Sequence, residues 1–359
     1  MKLTVIIPIN TASADIRRCI RSLLKDPKLD LQIIVAANSE KDKELKKINL
    51  IIPRFLCIKV INIHKAGKSN AINKALQLVK NKYVLICDAD TEFIPEGLNS
   101  CIKRIRSDKT IVAITGIVEP IGNNPLAAMQ KFEYRRVFRV FRPFWNMYNA
   151  NLLISGCAGL FRTDALHRVG SYDCNTFGED FEITIRLHEY YLRHGIPYKI
   201  EYVNKTIAKT DVPEDFYDLI RQRARWFAGQ IEVLWKYRIL LKHPKLYRRI
   251  IIPYVLSALF EVIGTCFKWA FFAATLRHCI VKDLPVLSVF LVSELCFVLF
   301  ECLFNIGISK QIEVKSASAA VRMTLRLIIF QSIMKDTNVI FGVPLVFKKN
   351  KSWYGRKKR

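Results

Sequence analysis

Short apolar runs alternate with segments of helical spacing through the first hundred residues. Leu3–Pro8, Leu31–Ala37, Cys57–Ile63 and Tyr83–Cys87 are each largely apolar, which predicts short strands buried on both faces. Between the first two, Ile16, Cys19, Ile20, Leu23 and Leu24 recur at helical spacing within Ala14–Leu24, and Ser69–Leu78 reads as a helix before the fourth strand. Strands separated by helices predict a parallel sheet covered on both faces, with ligands bound beyond the carboxyl ends of the strands. A helix over Leu98–Arg106, a strand over Ile111–Ile117 and a long helix over Val212–Leu241 continue the chain.

Leu126–Tyr148 departs from this pattern. Phe132, Tyr134, Val137, Phe138, Val140, Phe141, Phe144 and Trp145 interleave there with Arg135, Arg136, Arg139 and Arg142. The stretch fits a helix lying in a membrane interface and equally a helix facing the core. From Ile250 onward the chain turns apolar. Residues 250–276 and 284–308 are each long enough to cross a bilayer, and 322–347, interrupted by Lys335-Asp336, is expected to be interfacial or re-entrant. The tail Lys348–Arg359 holds seven basic residues and no acidic one, which favours the cytoplasmic side. The first strand begins within two residues of Met1 and no signal peptide is visible. The expectation is an integral membrane protein with two crossings and a cytoplasmic soluble domain, divided into 1–241 and 242–359.

The composition agrees with this division. At 359 residues, with 51% hydrophobic residues and a mean hydropathy of +0.14, the chain can hold one sizeable soluble domain and a membrane region. Its net charge of +26 suits anionic lipid, anionic small molecules or nucleic acid. The basic blocks lie beside aromatic and apolar segments rather than in one arm, which argues for a membrane surface and against nucleic acid. Ten cysteines form no CxxC pair and no zinc-type spacing, so buried free thiols in a reducing compartment are expected.

Four motifs carry candidate chemistry. Asp88-Ala89-Asp90 ends the fourth strand, where two hard oxygen donors suit Mg²⁺ or Mn²⁺ held against a diphosphate; strand-end Asp pairs also serve simply as turn formers. In Gly67-Lys68-Ser69-Asn70-Ala71-Ile72-Asn73 a glycine turn puts Lys68 at a helix N-terminus suited to anions, without the spacing of a P-loop. Gly178-Glu179-Asp180 offers a general base or, more simply, negative charge at a helix start. In Gln222-Arg223-Ala224-Arg225-Trp226, Gln222, Arg225 and Trp226 share one helix face. They supply an amide, a guanidinium fork suited to pyrophosphate and an indole plane. An amphipathic helix with a buried Trp would show the same pattern.

In this order the motifs resemble the inverting glycosyltransferase family 2, specifically the membrane-bound processive synthases of cellulose, hyaluronan and poly-N-acetylglucosamine. The likeness runs from Val5-Ile6-Ile7-Pro8 through Gly67–Asn73, Asp88–Asp90, Ser155–Arg162, Gly178–Asp180 and Gln222–Trp226 to Trp353 in the tail. It implies an α/β fold: a GT-A-like nucleotide-sugar-binding domain with a mixed, mainly parallel sheet, followed by C-terminal transmembrane helices. It also implies an enzyme moving sugar from a nucleotide-sugar donor to a growing β-linked glycan. Transfer of one sugar to a polyprenyl phosphate or ceramide-like lipid acceptor, or an inactive membrane scaffold, are the alternatives. Membrane lipid and a glycan or lipid acceptor are the implied partners.

Residue by residue, the resemblance implies that Asp88 contacts the nucleotide, that Asp90 with Asp88 holds Mg²⁺ or Mn²⁺, and that Asp180 is the base with Glu179 beside it. Gln222 and Arg225 would bind the donor pyrophosphate, with Pro8, Asn38 and Lys68 also on the donor side. Ser155, Gly156 and Cys157 would form an acceptor-facing turn, and Trp226 would stack on the acceptor sugar. The chain departs from the family at Ala37, where an Asp that pairs with uracil is usual. Asn38 beside it offers a neutral acceptor; a UDP-sugar is expected, and a GDP-sugar becomes possible. Gly178 replaces the family's Thr, and the N-terminal membrane helices of the family are not present.

Overall fold

In the computed structural model the described residues are 2–347, apart from Ala14, Lys28, Pro53, Arg54, Ala66, Lys315 and most of 260–283. The first four strands, β1 (Lys2–Ile9), β2 (Asp30–Asn38), β3 (Ile58–Ile63) and β4 (Tyr83–Ile86), pair in parallel as the apolar runs predict. Their pleat sends alternate residues to opposite faces. Leu3, Val5, Ile7 and Ile9 pack with α1 (Asp15–Leu23), α2 (Asp42–Ile51) and α4 (Pro95–Ser107), whereas Ile6, Ile34 and Ala36 pack with α3 (Lys68–Leu76), α7 (Thr163–Arg168) and α8 (Glu179–Arg193). These two buried layers explain why β1, β2 and β4 are largely apolar.

The sheet has eight strands in the order β3-β2-β1-β4-β7-β6-β8-β5. It is mixed: β7 (Gly159–Arg162) runs antiparallel between β4 and β6 (Ile111–Ile121), and β5 (Thr91–Phe93) runs antiparallel to β8 (Lys199–Asp211). Several elements are absent from the pattern reading, three of them for plain reasons. β7 is only four residues long, α2 is concealed by the Lys41–Lys47 charge run, and β8 carries enough Lys, Glu and Asn to lose any apolar signature.

Leu126–Tyr148 resolves into α5 (Pro125–Arg136), a π-helical turn (Val137–Phe141) and α6 (Arg142–Met147). The core-facing reading of this stretch holds in part. Phe132 and Phe138 are buried, while Phe144, Met147 and Tyr148 are exposed. The long helix expected over Val212–Leu241 is α9 (Phe216–Lys236), capped by Asp215, whose side chain accepts from Asp218 N.

After α10 (Arg248–Ala258), most of the remainder of the expected span 250–276 lies outside the described residues, as do the tail from 348 and Trp353. α11 (Leu284–Gly307) covers the second expected span. The segment expected to lie in the interface is one continuous 30-residue helix, α12 (Ala317–Val346). Its Ala317–Met334 stretch is the one candidate among the described residues that is long and apolar enough to cross a membrane. α12 buries Leu327, Phe330 and Met334 against Phe132 of α5 and Leu219 of α9. Near its end, a Cβ on Gly342 would stand 3.0 Å from the Ala224 carbonyl. The C-terminal helix therefore braces α9 inside the Gln222–Trp226 segment.

Candidate active site

The site opens at the carboxyl ends of the parallel strands. Chain pairing continues one residue past β4, with Cys87 N donating to Ile6 O at 3.1 Å, and Thr91 N then donates to Asp88 O at 3.2 Å. This turn carries Asp88 and Asp90 out of the sheet. On the facing side Asn38, the last residue of β2, fixes the start of α3. Its amide donates to Lys65 O at 2.5 Å and its carbonyl accepts from Gly67 N at 2.9 Å. Gly67 has φ +122, a left-handed conformation that a side chain would strain. Asn38 is buried, and these bonds occupy its side chain. Pro8 is buried too, paired with Ala36 in the sheet.

Lys68, placed by that turn, is the hub. Its Nζ lies 2.7 Å from Asp88 Oδ1 and 3.0 Å from Glu179 Oε1. Burial disfavours the ammonium, but Asp88 and Glu179 outweigh it and hold the Lys68 pKa well above its usual value. Burial likewise opposes the Glu179 carboxylate; Lys68 and Arg225 prevail and keep its pKa below the usual value. Asp180 behaves oppositely. Burial and then neighbouring Glu179 raise its pKa, against the pull of Lys68 and Arg225. Two adjacent carboxylates are thus separated into a fixed anion and a better proton acceptor.

Asp180 stands at the start of α8, where its Oδ1 accepts from Phe181 N at 2.9 Å and its Oδ2 accepts from Gly156 N at 3.2 Å. Gly156 is the centre of the Ser155–Cys157 turn, closed by Ala158 N donating to Ser155 O. A Cβ there would lie 3.2 Å from both Asp180 Oδ2 and Lys68 Nζ. Burial, then Asp88 and Asp90, push the Cys157 thiol well up, so it stays protonated. Asp90 lies toward β8, its Oδ1 3.4 Å from the Thr210 hydroxyl.

α9 forms the other wall. Arg225 is close enough to influence both Glu179 and Asp180, and Trp226 is 37% exposed. The helix reaches the site because glycine faces glycine: a Cβ on Gly229 would lie 2.4 Å from Gly178 N, and one on Gly178 would lie 3.1 Å from the Gly229 carbonyl. Gly178 thus admits a close backbone approach. The structure gathers Lys68, Asp88, Glu179, Asp180, Gly156, Cys157 and Arg225 together. Asn38 and Pro8 sit behind the surface. Pattern reading missed Glu133, which binds Arg223 at 2.5 Å, and Gly229; neither had a sequence signal. A groove of about 490 Å³ lined by Lys80, Lys82, Lys109 and Thr163 lies at the opposite ends of β4 and β7, remote from this chemistry.

Residues 4–169 match the family model described as glycosyl transferase family 2. Poly-beta-1,6-N-acetyl-D-glucosamine synthases of Staphylococcus epidermidis and Staphylococcus aureus are 30% and 31% identical over 171 residues, 47% of this chain and 40% of theirs. The match thus spans less than half the length of those relatives. The structure of the mannosyltransferase PcManGT from Pyrobaculum calidifontis, in complex with GDP-Man and Mn²⁺, has a TM-score of 0.60. That match, at 16% identity, covers 97% of this chain and 88% of that one, and shows a shared GT-A-like α/β fold. Residues 4–169, just under half of this chain, thus resemble glycosyl transferase family 2, and the fold is the GT-A-like α/β fold.

Proposed function

We propose that this protein is a membrane-bound, inverting transferase that extends a β-linked glycan from a nucleotide sugar, with Asp180 as general base. The observation that carries the reading is the division of labour between Glu179 and Asp180: Lys68 holds the first as an anion while the second has the raised proton affinity a base requires. Asp180 would take the proton of the acceptor hydroxyl as that oxygen attacks the anomeric carbon and the bond to the nucleoside diphosphate breaks. One displacement inverts the configuration. Lys68, Gln222 and Arg225 supply cationic and amide contacts for the leaving diphosphate, and Trp226 supplies a face for the acceptor sugar.

Asp88 and Asp90 have the hard oxygen donors that Mg²⁺ or Mn²⁺ prefers. A cation held here would be shared between one or two of these carboxylates and substrate phosphates. Such a cation would act as a Lewis acid on the departing diphosphate.

Membrane attachment is supported by the exposed apolar rows Leu291, Leu295, Leu299 and Leu303 on α11 and Leu325, Ile329 and Ile333 on α12, which are surplus to a wholly aqueous surface. A screen of UDP- and GDP-sugars on membranes, scoring nucleoside diphosphate release and product size, tests the reading. A ladder of oligomers is expected. A single glycolipid would instead assign a lipid acceptor, and no release with any donor would overturn the proposal.

A further inference from the structure

Arg223 lies within the Gln222–Trp226 segment, one helical turn (i, i+3) before Trp226. Its guanidinium grips Glu133 of α5 at two points, 2.5 and 3.2 Å, and sits 4.8 Å from the centre of the Trp226 ring. The Arg223 and Glu133 side chains are only 13% and 18% exposed. Glu133 stands on a well-anchored helix. Asn124 caps α5 by accepting from Ala127 N at 2.8 Å, and its amide donates to Glu214 O at 2.5 Å. Gln130 donates to Pro213 O at 2.8 Å, so α5 is tied to the loop that leads into α9.

We propose that Glu133 is a positioning residue for the acceptor: it fixes Arg223 against the indole and so sets the tilt of Trp226. The proposal rests on the reading of Trp226 as the acceptor platform. A guanidinium over an indole face is held by the ring quadrupole, yet a long Arg side chain keeps that pose only when its charge is compensated where water is largely excluded. Glu133 supplies that compensation from a different element. The indole is then oriented before the sugar arrives, which lowers the ordering cost of binding.

Glu133→Gln keeps the size and removes the charge. Acceptor-dependent transfer on membranes is expected to fall about tenfold with the donor KM unchanged. Exchanging the pair, Glu133→Arg with Arg223→Glu, restores the bridge between α5 and α9 but takes the cation off the ring, and should stay defective. Acrylamide quenching of Trp226, read as the difference between each protein and its Trp226→Phe counterpart, should rise in both variants and needs no turnover. Wild-type quenching in Glu133→Gln overturns the proposal. So does full rescue by the exchanged pair, which would make Glu133 a simple bridge. Failure of the functional reading looks different: Trp226→Ala would leave transfer intact while the quenching differences persist.

Discussion

The strand-end wall of the site, built from Lys68, Asp88, Glu179 and Asp180, is held by charge, whereas the α9 wall, carrying Gln222, Arg225 and Trp226, is held by packing. In the first, one buried ammonium bridges two carboxylates at 2.7 and 3.0 Å. In the second, α9 is pressed between a glycine contact at Phe177–Gly178 on one side and α12 on the other. Charge fixes the acids at the strand ends, and removing one partner leaves an uncompensated ion. Packing seats the helix that carries Gln222, Arg225 and Trp226, where an added methyl group displaces a helix. Substitutions in the two walls should therefore fail differently, the first in turnover and metal response, the second in stability and fit.

The largest effect is expected from Asp180→Asn, which removes the proposed base and leaves the Lys68 bridge in place. Turnover should drop on the order of 10²-fold or more with nucleotide binding retained; near-normal turnover would take Asp180 out of that role. Next, Asp90→Ala should weaken donor binding about 10–100-fold in Mn²⁺ and abolish the difference between Mn²⁺ and chelator. Equal donor binding by the wild-type enzyme with Mn²⁺ and with chelator would remove the metal from the charged wall.

The packed wall is probed by Gly229→Ala, whose new methyl would meet Gly178 N at 2.4 Å. A loss of about 1–3 kcal/mol in unfolding free energy is expected, together with reduced acceptor use; unchanged stability would show that α9 is not seated by this contact. The smallest effect concerns the helix that Asp180 begins. His188, further along α8, is buried between Asn151 O at 2.8 Å and the Tyr198 hydroxyl at 2.7 Å, and burial, helped by Arg249, lowers its pKa to about 4. The folded state holds it neutral while the unfolded chain protonates near its ordinary 6.5. Stability should thus fall as pH drops from about 6.5 towards 4, by about 2 kcal/mol at pH 5. Denaturant titrations of wild type and His188→Gln measure this: the variant should lose that slope, and retention of it would assign the pH dependence elsewhere.

The sequence by itself determined the parallel half of the sheet, because strands buried on both faces must be apolar throughout and short apolar runs have few other uses. It also determined where the acidic motifs stand, since Asp88 ends a strand and Asp180 starts a helix, and both placements follow from local pattern. The packing of distant segments sets which acid is held as the anion and which has the raised proton affinity. That depends on Lys68 reaching across from α3 to Glu179 rather than to Asp180, over more than a hundred residues of chain. It likewise decided the antiparallel insertion of β7, too short to carry a period, and the seating of α9 on Gly178. The partnership of Glu133 with Arg223 joins positions 90 residues apart. Local pattern encodes what each segment buries; distant pairs of charges and close backbone contacts exist only once the segments have packed.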